Sequence, residues 1–238
     1  AAVQSMMAEL PAGVELRISA DFSHKVGLGS SAAVTAAVTA ALQSWCRQRL
    51  QTDELFAACL RIIHAVQGTG SGADAAASIY GGLVLYRMDP LLITPIAVAP
   101  PLTVVYCGYK TPTVQVIDKV QSLQQNHAEL YQHLYGTMDL LSMAAESAIR
   151  AHDWAKLGTL LNVNQGLLNA IGVSNADLEE IIERLRRDEN IYGAKISGSG
   201  LGDCIISLGT ASEQTVQGFQ LPRQVLPLAV SPTGIEVA

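Results

Sequence analysis

Basic residues are in deficit in this chain of 238 residues, with 15 Lys and Arg against 21 Asp and Glu, a net charge of −6. That balance argues against a nucleic-acid partner, which needs a basic face. It does not exclude phosphate binding, because the amides at a helix start hold an anion whatever the net charge. Long apolar runs are also missing. Mean hydropathy is +0.27, yet every run breaks well short of the ~20 residues that a membrane span needs, and no membrane partner is expected. No N-terminal stretch has the basic-then-apolar pattern of a leader. Cys46, Cys59, Cys107 and Cys204 are scattered without CxxC spacing, so a zinc site or disulfide framework is not expected. Reduced thiols in a cytoplasmic protein are the simpler reading. His24, His64, His127, His133 and His152 are equally dispersed. No repeat and no low-complexity tail stands out.

What the chain does contain is mixed periodicity. Val14 to Ala20 alternates like a half-buried strand, and Leu83 to Arg87, Leu102 to Cys107, Cys204 to Leu208 and Gln224 to Val230 also read as strands. Ser31 to Leu50 is Ala-rich without Gly or Pro and reads as a helix. A second begins at Thr52-Asp53-Glu54 and runs to Val66. The Pro-rich stretch Pro90 to Pro101 reads as a connection between two halves. Thr113 to about Asp153 is helical in period with an interruption near Gly136. Trp154 to Ala170 and Ala176 to Asp188 are further helices, the latter capped by Ser174 or Asn175. Strands and helices are mixed, with a helical cluster in the second half, so the class is α+β or α/β.

Three glycine-rich loops carry the chemistry. In "HKVGLGSSAA", Gly27 and Gly29 permit positive φ, and Ser30 and Ser31 stand where a helix begins. Orphan amides, helix dipole and hydroxyls together suit a diphosphate. A serine cap on a tight turn is the simpler alternative. Neither the Walker A nor the Rossmann spacing is present. The second loop, "GTGSGAD", sets Asp74 among small residues, where it is either a helix cap or a general base facing a hydroxyl. Phosphoryl transfer asks for positioning, charge neutralisation and such a base. The third, "SGSGLGDC" from Ser197 to Cys204, is either a hairpin turn or a further phosphate loop.

Taken in order, "GLGSSAA" (Gly27 to Ala33), "GSGAD…YGG" (Gly70 to Gly82) and "KISGSGLGDC" (Lys195 to Cys204) resemble the second motif, the catalytic-Asp segment and the third motif of the GHMP kinases. That family is named for galactokinase, homoserine kinase, mevalonate kinase and phosphomevalonate kinase. The resemblance covers nearly the whole chain. It implies an α+β fold of two domains: the remainder of a ribosomal S5-like N-terminal domain over residues 1–98, and a helix-rich ferredoxin-like C-terminal domain over 99–238, with the site in the cleft between them. It implies transfer of the ATP γ-phosphate, with Mg²⁺, to a small alcohol or phosphate.

By the same resemblance Gly27, Leu28, Gly29, Ser30, Ser31 and Ala32, with Gly198, Ser199 and Gly200, hold the nucleotide, and Ser31 lies near Mg²⁺. Asp74 is the base or orienting carboxylate, with Lys25 as a nearby cation. His24, Ser71, Gly72, Thr111 and Gly200 face the acceptor, and Lys110 to Thr113 is either a substrate contact or a helix-start cap. "NQGLLNAIGVSNADLEEIIERL" is similar to mevalonate kinases; "HKVGLGSS" and Gly-Asp-Cys are more like phosphomevalonate kinases. The expected acceptor is mevalonate, with phosphomevalonate second and a non-catalytic nucleotide-binding homologue as the alternative class. Two departures stand out. Ile63, eleven positions ahead of Asp74, stands where mevalonate kinases place a Mg²⁺-binding Glu. The family's first motif, with its Lys, is absent, which implies a missing segment or a second chain. The resemblance also leaves a homodimer open.

Overall fold

The computed structural model describes residues 1–19, 28–47, 50–68 and 70–237. The expected site residues His24, Lys25 and Gly27 lie outside these. The described residues divide into two compact units. The first comprises residues 1–19, 29–99 and 230–237; Leu28 groups with 100–229 in the second. The second domain was expected to run to 238. Instead the tail from 230 joins the first unit, where Gly82 N–H donates to the Ser231 carbonyl (2.7 Å) and Ile235 N–H to that of Ile79 (3.1 Å).

The first unit holds four helices among its described residues: α1 (Ala2–Met6), α2 (Ser30–Arg47), α3 (Thr52–Gln67) and α4 (Ala73–Tyr80). α3 carries Leu55, Phe56, Cys59, Ile62 and Ile63 on one buried stripe, the spacing of a helix with one apolar face. Asp53 and Glu54 complement its dipole, and Gly68 ends it with φ +75°. The stripe packs on Ala32, Ala36 and Ala40 of α2 and Ala75, Ala76 and Ile79 of α4. Small residues on α2 and α4 let the three backbones approach.

A hairpin of β1 (Leu83–Arg87) and β2 (Leu92–Ile96) follows. β2 lies inside the Pro-rich stretch read as a connection. Pro95 pairs opposite Val84, and among the described residues β2 has only β1 as partner, so a residue without N–H is tolerated on its open side. Residues 14–19 form no strand. Their alternation is real, but they have no ladder partner among the described residues, and Leu16 and Ile18 are exposed.

The second unit is built on a four-stranded antiparallel sheet of β3 (Leu102–Tyr106), β4 (Gly193–Ser197), β5 (Cys204–Leu208) and β6 (Gln224–Leu226), in the order β4-β5-β3-β6. With the helices between β3 and β4 and between β5 and β6, this is the ferredoxin-like topology. β6 stops at Leu226, short of the expected Val230. The long helical run divides at His127 into α5 (Thr113–Asn126) and α6 (Ala128–Arg150), and Gly136 sits inside an unbroken α6. An interior glycine costs a helix about 1 kcal/mol, too little to break 23 residues.

α7 (Trp154–Ala170), α8 (Ala176–Arg186) and the short α9 (Glu213–Gln217) complete the unit. Asn175 caps α8, accepting from Leu178 N–H at 3.1 Å. α8 then buries Leu178, Ile181, Ile182 and Leu185 against Val105, Ala194, Ile196 and Ile205 of the sheet. No helix among the described residues is long and apolar enough to cross a membrane.

Candidate active site

In the first unit, packing of α2 against α4 brings Gly29 beside Asp74. Gly29, at φ +72°, precedes α2, and its carbonyl takes the first helical bond, from Ala33 N–H at 3.0 Å. The cap position is therefore glycine, and Ser30 and Ser31 are the first two helical residues. The serine-cap alternative falls. The amides of Ser30, Ser31 and Ala32 are the helix's orphan donors, with two hydroxyls beside them.

Asp74 stands next to this helix start. A Cβ on Gly29 would lie 3.1 Å from Asp74 Cγ and 3.4 Å from its Oδ2. Asp74 is exposed and is the second residue of α4, not its cap; that place belongs to Gly72, at φ +82°. Gly72 is hemmed in, since a Cβ there would meet Leu60, the Tyr86 hydroxyl and Phe56 at 3.0 to 3.2 Å. The Tyr86 hydroxyl donates to the Ser71 carbonyl, and His64 Nε2 donates to that of Gly70 at 2.8 Å. The second loop is thus pinned at two successive carbonyls just ahead of the turn that delivers Asp74.

Among the described residues, no group of three or more His, Cys, Asp or Glu could hold a metal. Ile63 is 7% exposed in the α3 stripe and packs against Gly70, so that position offers no ligand. Asp74 and the hydroxyls of Ser30 and Ser31 are oxygen donors at the helix start. This set fits Mg²⁺, which is commonly held by one or two carboxylates together with substrate phosphates.

The third loop lies in the second unit and closes the β4–β5 hairpin, so the turn reading holds for its connectivity. It is unusually shaped: Gly198, Gly200, Leu201, Gly202 and Asp203 all have positive φ. A Cβ on Gly200 would come within 2.4 Å of the Val173 carbonyl, which accepts from Leu201 N–H at 2.8 Å. Asp203 N–H donates to the Tyr109 carbonyl (2.8 Å), and Cys107 N–H to that of Asp203 (2.9 Å). Thr111 donates its hydroxyl to the Leu201 carbonyl. That hydroxyl, expected to face substrate, fastens the loop.

Three features escaped the sequence reading. Lys195, on β4 just ahead of the loop, is pushed down to about 8 by burial, and its Nζ donates to the Ile196 carbonyl at 2.6 Å. Asp203 pairs with Lys110, Nζ to Oδ2 at 3.5 Å. Gln165 of α7, 2% exposed, accepts from Ile196 N–H at 2.9 Å. The strand alternation around Lys195, and the acid ending a glycine run, were the available signals for the first two. Burial also pushes the Cys204 thiol up to about 12, so it is no nucleophile near neutral pH.

The chain resembles known proteins over most of its length. A family model described as GHMP kinases N terminal domain matches residues 1–82, and one described as GHMP kinases C terminal matches residues 145–219. The mevalonate kinase of Thermococcus sibiricus is 31% identical over 214 residues, which cover 88% of this chain and 64% of the relative. That of Archaeoglobus fulgidus is 32% identical over 196 residues, 82% of this chain and 66% of the relative. The crystal structure of L. major mevalonate kinase in complex with R-mevalonate matches with a TM-score of 0.74 at 28% identity, covering 88% of this chain and 68% of that one. The chain spans a little under two thirds of the length of these two curated relatives.

Proposed function

The chain belongs to the GHMP kinase family, and from that premise we propose that it transfers the γ-phosphate of ATP to the hydroxyl of mevalonate. The observation that carries this reading is the contact of Asp74 with Gly29 at the head of α2. It sets a carboxylate beside a helix start whose amides and serine hydroxyls suit phosphate oxygens. Phosphoryl transfer draws its rate from positioning and charge stabilisation, and this arrangement supplies both. Ser30, Ser31 and Ala32 bind the phosphates. Asp74 orients the acceptor hydroxyl and takes its proton. Ser31 and Asp74 would hold Mg²⁺, which when bound neutralises phosphate charge. Mevalonate is favoured as acceptor because the relatives matching most of the chain are named mevalonate kinases.

The test is ATP turnover by the purified chain with Mg²⁺ and either R-mevalonate or 5-phosphomevalonate. Mevalonate-dependent ADP release is expected. Asp74→Asn should lower turnover at least 100-fold, the scale of a lost general base, while leaving the affinity for a non-hydrolysable ATP analogue within about 2-fold. Turnover with phosphomevalonate alone would move the acceptor to the second reading. Nucleotide binding without turnover on either acceptor would make the chain a binding module.

A further inference from the structure

Within the first unit, α1, α2 and α3 border a groove of about 970 Å³, inside the size range of small-molecule pockets. Met6 of α1 and Ala58, Ile62 and Ala65 of α3 give it small, apolar walls. Thr39 and Gln43 of α2, 1% and 5% exposed, form its floor. The groove is apart from the proposed phosphate-binding end of α2, since Gln43 stands 13 positions beyond Ser30, about 20 Å along the helix axis.

The two polar groups on the floor differ. Thr39 donates its hydroxyl to the Thr35 carbonyl at 2.7 Å, so that proton is spent. The Gln43 amide has no hydrogen-bond partner among the described residues. Buried polar side chains are nearly always hydrogen-bonded, and one that opens on a groove without a partner calls for something in the groove to bond it. A glutamine amide offers N–H donors and a carbonyl acceptor side by side. Its complement is another amide-type edge, an N–H beside a C=O, carried on an apolar body that suits walls of alanine, isoleucine and methionine. The charged lining residues, Glu9, Glu54 and Arg61, are exposed while the floor is uncharged, which favours a neutral ligand.

We propose that this groove binds a small neutral ligand with an amide-type edge, whose N–H donates to Gln43 Oε1 and whose carbonyl accepts from Gln43 Nε2. The site stands independently of the kinase reading. ε-Caprolactam is a minimal probe, because its ring holds N–H and C=O on one side and is otherwise apolar. Titrated into the nitrogen-15-labelled full chain and followed by NMR, it should shift the Gln43 side-chain amide signals, which are assigned by their loss in Gln43→Leu. A saturable shift with a dissociation constant of about 1 mM is expected for a ligand of about eight heavy atoms. N-Methylcaprolactam keeps the ring and the carbonyl but lacks the N–H, and should bind about 10-fold more weakly. Two variants locate the binding. Gln43→Leu keeps the side-chain volume without the amide, and Ala58→Phe fills the groove from its wall with the amide intact. Both should abolish the saturable shifts at the backbone amides around Gln43. No saturable shift up to about 20 mM lactam, equal binding of the two lactams, or binding that survives Ala58→Phe would overturn the proposal. Should Gln43→Leu fail to fold, the lactam pair and Ala58→Phe still decide it.

Discussion

Replacing Gln165 by Leu should destabilise the second unit far more than a single hydrogen bond would suggest. Among the described residues β4 is an edge strand, paired only with β5, and its outer side faces α7. The helix comes unusually near. A Cβ on Gly158 would lie 2.3 Å from the Tyr192 carbonyl, and one on Gly193 would lie 2.1 Å from the Gly158 carbonyl. At that range two amide side chains on α7 take the place of a neighbouring strand. Asn162 Oδ1 accepts from Ala194 N–H at 3.1 Å, and Gln165 Oε1 accepts from Ile196 N–H at 2.9 Å.

Gln165 Nε2 then donates to Glu179 Oε1 (2.9 Å) and to Ser174 Oγ (3.3 Å). Leucine has similar volume, so little of the loss is cavity. It leaves the Ile196 N–H buried without an acceptor, at a cost of about 1–3 kcal/mol, and removes a donor from a carboxylate, worth about 1.5–3 kcal/mol. Glu179 keeps Ser174 and Asn169 as donors, which trims the second contribution. The expected loss is about 3 kcal/mol, or roughly 10 °C in Tm for a unit of this size. Urea unfolding at unchanged m-value measures it, and hydrogen exchange at the Ile196 amide should quicken. A loss below about 1 kcal/mol would refute the idea that α7 side chains substitute for a strand.

The remaining predictions concern the first glycine loop, the buried lysine of β4 and the proposed base. Gly29→Ala puts a methyl 3.1 Å from Asp74 Cγ at φ +72°, and should cost about 1–2 kcal/mol of stability together with turnover; unchanged thermal melting and kinetics would refute it. Burial holds Lys195 at about 8 against 10.5 for a free lysine, so the unfolded state binds more protons between those values and stability rises with pH across them. Lys195→Met should remove about 2 kcal/mol of the rise between about pH 7.5 and pH 9.5, and an unaltered urea titration at the two pH values would count against it. The Asp74→Asn variant tests turnover as set out above.

Helices with one-sided apolar stripes were legible in the sequence because their information is local. α3 and α8 announce themselves through spacing, caps and first-turn acids, and the structure keeps them within a residue or two. Where partners matter, local pattern misled. Residues 14–19 alternate like a strand without a ladder to join, while β2 forms through Pro95 because β1 pairs with only one of its sides. The break expected at Gly136 falls at His127, since packing along α6 outweighs one glycine. Of the site, Asp74 and the α2 serines were legible from loop composition. Asp203, Lys195 and Gln165 were not, because each acquires its meaning from a residue far along the chain.

By itself the sequence determined the chemistry on offer: three glycine loops, an acid in the second, and serines at a helix start. It determined the mixed fold class as well, since periodicity and turn residues are written residue by residue. Tertiary structure decided which of those parts meet. Asp74 reaches Gly29 because small residues let α4 lie on α2, Gln165 reaches β4 because Gly158 and Gly193 bring α7 onto the strand, and Lys110 meets Asp203 because β3 and β5 are paired. Those contacts join residues some 30 to 90 positions apart. Bringing them together depends on side-chain volumes packing across elements, which no local pattern encodes.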